Sequence, residues 1–517
     1  MRILLTWLLA VCASGAKAEA SRPNILFFIM DDWGYGHAGA YGCGWVRTPN
    51  FDRVAREGLL YLNAYTPTAK CTPSRSAIMT GRYPWQLGAA ANHQCIFPPE
   101  HAIFPETLGP AGYLYASTGK VWGPGRMVDA QGNRRAFAGK VYDKAKEAPS
   151  ASGMSANDYA GNFRAFLQDT RPGQPWFFWA GPHEPHRGYE AGSGARVGGK
   201  KLSDIDRVPG HWPDDAKVRS DMLDYALEVE HADRHLGRML GELERRGELD
   251  NTLVIVTSDN GMPFPRAKGH AYEASNHMPL AVRWPRGIRD PGRKVQAYVS
   301  FIDLAPTFLE AAGVAWTKTA LAPSPGRSLF DTFANAPEAA TVRDHVLIGR
   351  ERNDLGRPLD AGYPVRGIIK EGHLLLENAE PSRWPCGNPE TGYLDTDASP
   401  TKSLILSRRR ERGTDPFWSL CFGMRPSLEL YDLREDPDCV RPLRGEAASA
   451  LSDRLRAEMW AKLRSLGDPR ALGQGAAFDA YPTSDVKRRG LYERASRGQG
   501  VDAPWISPSD VEAAPIR

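Results

Sequence analysis

Residues 24–30 form an unbroken apolar run, Ile25, Leu26, Phe27, Phe28 and Ile29, that stops at two consecutive aspartates, Asp31 and Asp32. A run with no polar alternation suits a strand covered on both faces, and such strands belong chiefly to parallel sheets. Residues 176–180 (Trp-Phe-Phe-Trp-Ala) repeat the pattern and end just before His183; residues 253–257 repeat it again and end at Asp259 and Asn260. Helix signals lie between these runs. Thr48, Pro49 and Asn50 open one, with Phe51, Val54, Ala55 and Leu59 at helical spacing. Within 220–246, Met222, Tyr225, Val229, Leu236, Met239, Leu240 and Leu243 trace a single apolar face. The alternation predicts an α/β fold, a mainly parallel sheet with helices on both faces. Its polar strand ends would gather at the carboxyl edge, where such folds bind ligands.

With 517 residues the chain can bury one large core and a smaller second one. A stretch rich in Ala, Pro and Ser, 320–343, separates an expected catalytic domain, 22–345, from a smaller α+β region with a short antiparallel sheet, 346–467. Gly, Pro and charged residues dominate 468–517, which reads as an irregular tail. At the start, Arg2, the apolar run 3–12 and small residues up to Ala18 and Ala20 have the order of a signal peptide, cleaved after Ala18 or Ala20. That run is too short to span a bilayer, and no later apolar stretch is long enough. The expected location is therefore secreted or periplasmic.

Lys plus Arg number 65 against 61 Asp plus Glu, a net charge of +4, which argues against a general nucleic-acid binder but leaves room for a local basic pocket. Beyond Cys12 in the signal segment stand Cys43, Cys71, Cys95, Cys386, Cys421 and Cys439, in no zinc-binding spacing. The last three are close enough in sequence to supply one disulfide, with the pair left open.

The most specific signal is Cys71-Thr72-Pro73-Ser74-Arg75, continuing to Thr80, Gly81 and Arg82. Together with Asp31-Asp32, the turn Ser258-Asp259-Asn260-Gly261, the Gly119-Lys120 segment and Leu430-Tyr431-Asp432-Leu433, it resembles the type I, formylglycine-dependent sulfatases. The resemblance spans most of 22–466. It implies the alkaline-phosphatase-like fold and oxidation of Cys71 to formylglycine by a formylglycine-generating or sulfatase-maturing enzyme. Further, it implies catalytic roles for Cys71, Arg75, Lys120, His183 and Lys268, with Lys120, His183 and Lys268 contacting the substrate.

A sulfate ester repels nucleophiles, so positive groups must neutralise it before attack. The hydrate of an aldehyde at position 71 provides one oxygen to attack and another to expel sulfate, which a thiol does not. Asp31, Asp32, Asp259 and Asn260 offer hard oxygen ligands suited to Ca²⁺, and the resemblance adds Cys71 in its modified form. The resemblance also implies that His183, directly after a strand, contacts the sulfate and helps protonate the leaving group, a task that suits an imidazole, with His186 in an outer or structural role. The family ordinarily has a histidine two or three residues after the lysine, which helps break down the sulfated intermediate. Here the chain reads Lys120-Val121-Trp122-Gly123-Pro124. Another base such as His93 takes the role and contacts the substrate, or a shifted loop supplies a neighbour, or turnover is impaired.

Within the family, 257–265 and the Pro182–Arg187 segment are most similar to sulfamidases, or heparan N-sulfatases, so a sulfated carbohydrate is the implied partner. N- and O-sulfate remain open. Trp33, Trp45, Trp85, Trp122, His211 and Trp212 lie near the motifs and could face sugar, although packing is their ordinary role. Two other readings stand beside this one: a phosphodiesterase or phosphonate monoester hydrolase on the same fold, and a non-catalytic glycan-binding pseudoenzyme.

Overall fold

The computed structural model describes residues 22–512 and 516; the expected signal peptide lies outside the described residues. The first apolar run is strand β1 (Asn24–Met30), buried along its whole length. It sits at the centre of an eight-stranded sheet with β2 (Leu59–Tyr61), β3 (Leu114–Gly119), β4 (Lys140–Val141), β5 (Trp176–Gly181), β6 (Thr252–Ser258), β7 (Leu280–Arg283) and β8 (Arg293–Val295), in the order β8-β2-β7-β6-β1-β5-β3-β4. Strand β1 pairs in parallel with both β5 and β6. Only β7 runs against its neighbours, β6 and β2. The mainly parallel expectation holds, with that one reversal.

Alternate residues of a strand face opposite sides, and β1 shows what covers each. Leu26, Phe28 and Met30 join a core with α1 (Pro49–Arg56), α3 (Tyr159–Gln168) and the long α4 (Ala216–Arg245). Ile25, Phe27 and Ile29 join the opposite core with α2 (Cys71–Thr80) and α5 (Leu304–Ala311). Both faces are thus covered, which is why the run carries no polar residue.

A second, antiparallel sheet contains β9 (His345–Arg350), β10 (Val365–Lys370), β11 (His373–Asn378) and β12 (Leu428–Asp432) in sequential order. Helix α6 (Pro400–Arg412) lies in the connection between β11 and β12, and α7 (Glu446–Ser465) follows. Leu455, Met459 and Leu463 of α7 cover one face of this sheet with Leu347, Ile368 and Leu375, and Tyr65, Ala271 and Tyr272 from the larger body pack on the other. The segment beyond 467 contains short turns of helix and is held by buried charge. Asp468 accepts from Arg366 at 2.7 and 3.0 Å, and Asp510 pairs with Lys402 at 3.3 Å. Among the described residues no helix is long and apolar enough to cross a membrane.

The disulfide expected among Cys386, Cys421 and Cys439 is not formed; all three are buried free thiols. Cys386 and Cys421 have separate partners instead, the carbonyls of Cys421 and His211, each at 3.3 Å. The aromatic candidates are packing residues. Trp33, Trp45, Trp85, Trp122, His211 and Trp212 are all buried, and none offers a face to a sugar.

Gly119 ends β3 at φ +70°, and the next residue, Lys120, donates its backbone N–H to Gly181 at 2.7 Å. A Cβ at 119 would stand 2.2 Å from the Gly181 oxygen and 2.9 Å from the Tyr159 ring. Gly119→Ala is therefore expected to lower unfolding free energy by about 1–3 kcal/mol, read as a lower midpoint in thermal or denaturant unfolding; an unchanged midpoint would contradict this packing.

Candidate active site

The carboxyl ends of β1, β5, β6 and β3 lie side by side, and each delivers polar groups to one place. Asp31 and Asp32 follow β1, Asp259 and Asn260 follow β6, His183 follows β5 and Lys120 follows β3. Asp32 has φ +76°, a left-handed conformation that aspartate tolerates better than most residues. Its N–H donates to Asp259 Oδ1 at 3.1 Å, and the N–H of Trp33 donates to Ser258 Oγ at 2.7 Å, so the two strand ends are locked together.

Helix α2 brings the cysteine motif against them. Cys71 occupies its first position, and all ten of its residues are buried. Cys71 Sγ lies 3.6 Å from Asp31 Oδ1. One turn on, Arg75 Nε donates to Asp259 Oδ2 at 2.7 Å and its NH1 donates to the Lys120 carbonyl at 2.6 Å. Ser74 Oγ donates to the Asp259 carbonyl at 2.6 Å. The loop after Lys120 is pinned to the same helix, with Thr72 Oγ1 donating to Pro124 and Trp122 Nε1 to Ser76.

Two lysines complete the cluster. Lys120 Nζ donates to Asp31 Oδ2 at 2.5 Å, and Lys268 Nζ to Asp32 Oδ2 at 2.7 Å and Asp397 Oδ2 at 3.1 Å. Burial alone would raise the Asp31 carboxyl, but Lys120, with His186, Arg75 and Lys268 beyond it, holds it well below the usual range. Burial wins at Asp259, pushing it up to about 6 against the pull of Arg75. Burial would discharge Lys268, yet Asp32 and Asp397 keep its ammonium protonated. The Cys71 thiol is pushed up to about 12, chiefly by burial, so as a plain thiol it is a neutral, poor nucleophile at ordinary pH.

The donor set fits a hard divalent cation. Asp31, Asp32, Asp259 and Asn260 contribute only oxygens beyond the Asn260 amide nitrogen, which is engaged by Asp32 Oδ1 at 2.7 Å. Asn260 Oδ1 is left buried with no hydrogen-bond partner, a ligand atom without an employer inside the protein. Ligand atoms of Asp31, Asp32 and Cys71 all lie within 4.8 Å of one another.

His183 stands at the exposed rim, its backbone N–H donating to Tyr159 OH at 2.9 Å. His186 stands behind the carboxylates, with Nε2 3.9 Å from Asp32 Oδ2. His93 is buried on the other side. Its Nδ1 lies 3.1 Å from Asp354 Oδ1, and its Nε2 has no partner. Asp354 also holds Lys70 Nζ at 3.0 Å, the residue directly before Cys71. Lys70, Asp354, Asp395 and Asp397 were not among the residues expected from sequence. Asp354 had a faint signal, since it follows the β9 run within a cluster of charges; Asp397 lies in a loop with none.

Comparison with known proteins bears on this arrangement. The family profile described as Sulfatase matches residues 23–314. Human N-sulphoglucosamine sulphohydrolase is 29% identical over 452 residues, 81% of this chain and 85% of its own. An ulvan-active sulfatase of Formosa agariphila is 28% identical over 496 residues, 86% of this chain and 76% of its own. A solved structure reported under the metabolism of multiple glycosaminoglycans by Bacteroides thetaiotaomicron superposes with a TM-score of 0.63 at 18% identity, covering 89% of this chain and 100% of its own. The fold is the alkaline-phosphatase-like α/β arrangement.

Removing Arg75 would leave Asp259 buried without its cation. Arg75→Ala is expected to cost about 3–5 kcal/mol of stability, measured by denaturant unfolding of the purified protein; a loss below about 1 kcal/mol would show that Arg75 does not neutralise the strand ends.

Proposed function

Because the chain belongs to the sulfatase family and is a sulfuric ester hydrolase or sulfamidase, we propose that it desulfates a glycan using formylglycine at position 71 and a calcium ion at the strand ends. The observation that supports this most directly is the place of Cys71, at the first turn of α2 against Asp31 and beside Lys120 and Lys268. A helix N-terminus and two lysines favour the negative charge that a sulfate group brings.

Hydrated formylglycine would supply an oxygen nucleophile and an internal route for sulfate release. Calcium would be held by Asp31, Asp32, Asp259, Asn260 and residue 71, and would supply positive charge to sulfate oxygens. The remaining work falls to the chain's own side chains. Lys120 and Lys268 orient the sulfate, each already fixed by a carboxylate. Arg75 holds Asp259 and the Lys120 carbonyl in register. His183, at the open rim, is held down at about 4, chiefly by desolvation, so it is neutral until the bound sulfate's negative charge favours its protonation. It then delivers a proton to the departing oxygen or nitrogen of the sugar.

His93 takes the place of the histidine that the family ordinarily carries after its lysine. Burial holds its imidazole below the ordinary value, so it is neutral, and Asp354 Oδ1 receives the proton on Nδ1. That leaves Nε2 as a free base. The maturing enzyme reads the segment around Cys71 on the unfolded chain, since folding buries all of it. The matches to a sulphohydrolase of a sulfated amino sugar and to ulvan-active sulfatases support a sulfated saccharide as substrate, and the signal-like order of residues 1–20 supports a secreted or periplasmic setting.

The test is release of inorganic sulfate from N-sulfated and O-sulfated oligosaccharides by the matured protein. Wild type is expected to release sulfate, Cys71→Ala to release none, and turnover by Cys71→Ala at the wild-type rate would reject the reading. Calcium removal by chelation is expected to abolish turnover and its return to restore it. His93→Ala is expected to lower kcat by about 10²–10⁴-fold; an unchanged kcat would remove His93 from the reaction.

A further inference from the structure

Away from the strand ends, α4 carries a second convergence of ligand atoms. His231 and His235 are four residues apart on one helix face, and their Nε2 atoms are 3.3 Å apart. Glu147, from the segment between β4 and α3, places Oε1 3.2 Å from His235 Nε2. Ligand atoms of all three residues lie within 4.8 Å of one another. In a tetrahedral zinc site with bonds of about 2.0–2.1 Å, neighbouring ligand atoms stand about 3.3 Å apart. The two spacings along this cluster match that edge.

Hydrogen bonding alone accounts poorly for the arrangement. Arg234 NH2 faces His231 Nδ1 at 3.1 Å, and the N–H of Ala160 faces His235 Nδ1 at 3.4 Å. Each neutral ring then carries its proton on Nε2. Two N–H groups meet across 3.3 Å with one carboxylate oxygen to accept them. Burial, first among the causes, holds both imidazoles well below their ordinary value, to about 4 for His231 and about 3 for His235, so both are uncharged as metal binding requires.

We propose that Glu147, His231 and His235 form a zinc-class metal site, separate from the strand-end site and with its fourth position open to water. Two imidazoles and one carboxylate select a borderline cation over calcium. Arg238 binds Glu147 through Oε2 at 2.7 Å and so does not compete for Oε1. Arg234 holds Oε1 at 2.8 Å with a side chain 55% exposed, so it is the group that metal displaces into solvent. With metal on Nε2 the rings carry their proton on Nδ1, so the donors that now face Nδ1 must turn away: Arg234 NH2 from His231, and the Ala160 N–H and Arg238 NH1, at 3.4 and 3.5 Å, from His235. Asp158 Oδ1 stands 3.7 Å from His235 Nδ1, one short shift from accepting its proton. The site joins the 147 segment to α4 under the catalytic rim. The His235 ring meets Tyr159 edge-on at 5.1 Å, and Tyr159 OH receives the backbone N–H of His183.

The test is cobalt(II) titration of the full-length protein in saturating calcium, which occupies the strand-end site. One equivalent of cobalt with visible absorption of tetrahedral type is expected, competed away by zinc. Wild type that takes up no cobalt overturns the proposal, whatever the behaviour of variants. Glu147→Gln, which preserves shape, is expected to weaken cobalt binding at least about tenfold, and His231→Ala to abolish it. Uptake unchanged in both variants would place the ion elsewhere and equally overturn the proposal.

Discussion

Three carboxylates, Asp31, Asp32 and Asp259, are buried to 1% exposure or less at the ends of two adjacent strands. An unpaired buried charge costs several kcal/mol, so the fold must bring a cation to each. Arg75 comes from α2, Lys120 from the end of β3 and Lys268 from the loop after β6. This requirement ties together elements that share no sequence neighbourhood. It also explains why α2 is buried from end to end, although its sequence is largely polar.

The same demand for pairing spreads outward into the smaller region. Lys268 needs Asp397 as well as Asp32, and Lys70 needs Asp354. Asp395, in turn, is held by Arg350 and Arg357 at 2.9 and 2.6 Å. The second sheet and its loops therefore close one wall of the site and contribute its charges. The larger sheet thus provides the carboxylates at the strand ends, while Asp354 and Asp397 come from the region beyond it.

Sequence made the first part legible and concealed the second. Continuous apolar runs ending in Asp31-Asp32 and Asp259-Asn260 carry both their buried state and their polar edge in the order of residues. Cys71 and Arg75 are legible because one helical turn separates them. Asp397 is not, because its partner Lys268 lies 129 residues away and nothing local marks the loop. His93 was visible only as a candidate, since its meaning depends on Asp354, 261 residues later. The tryptophans near the motifs show the opposite limit: closeness in sequence to the site put none of them on its surface. The three C-terminal cysteines were close in sequence too, yet each remains a free thiol.

The proposed chemistry depends on the chemical state of residue 71, and peptide mass spectrometry reads that state directly. Protein made in a host with the maturation machinery is predicted to yield the 71-containing peptide at the mass of the aldehyde or its hydrate. A peptide carrying only the unmodified thiol, from a preparation that still releases sulfate, would contradict the account.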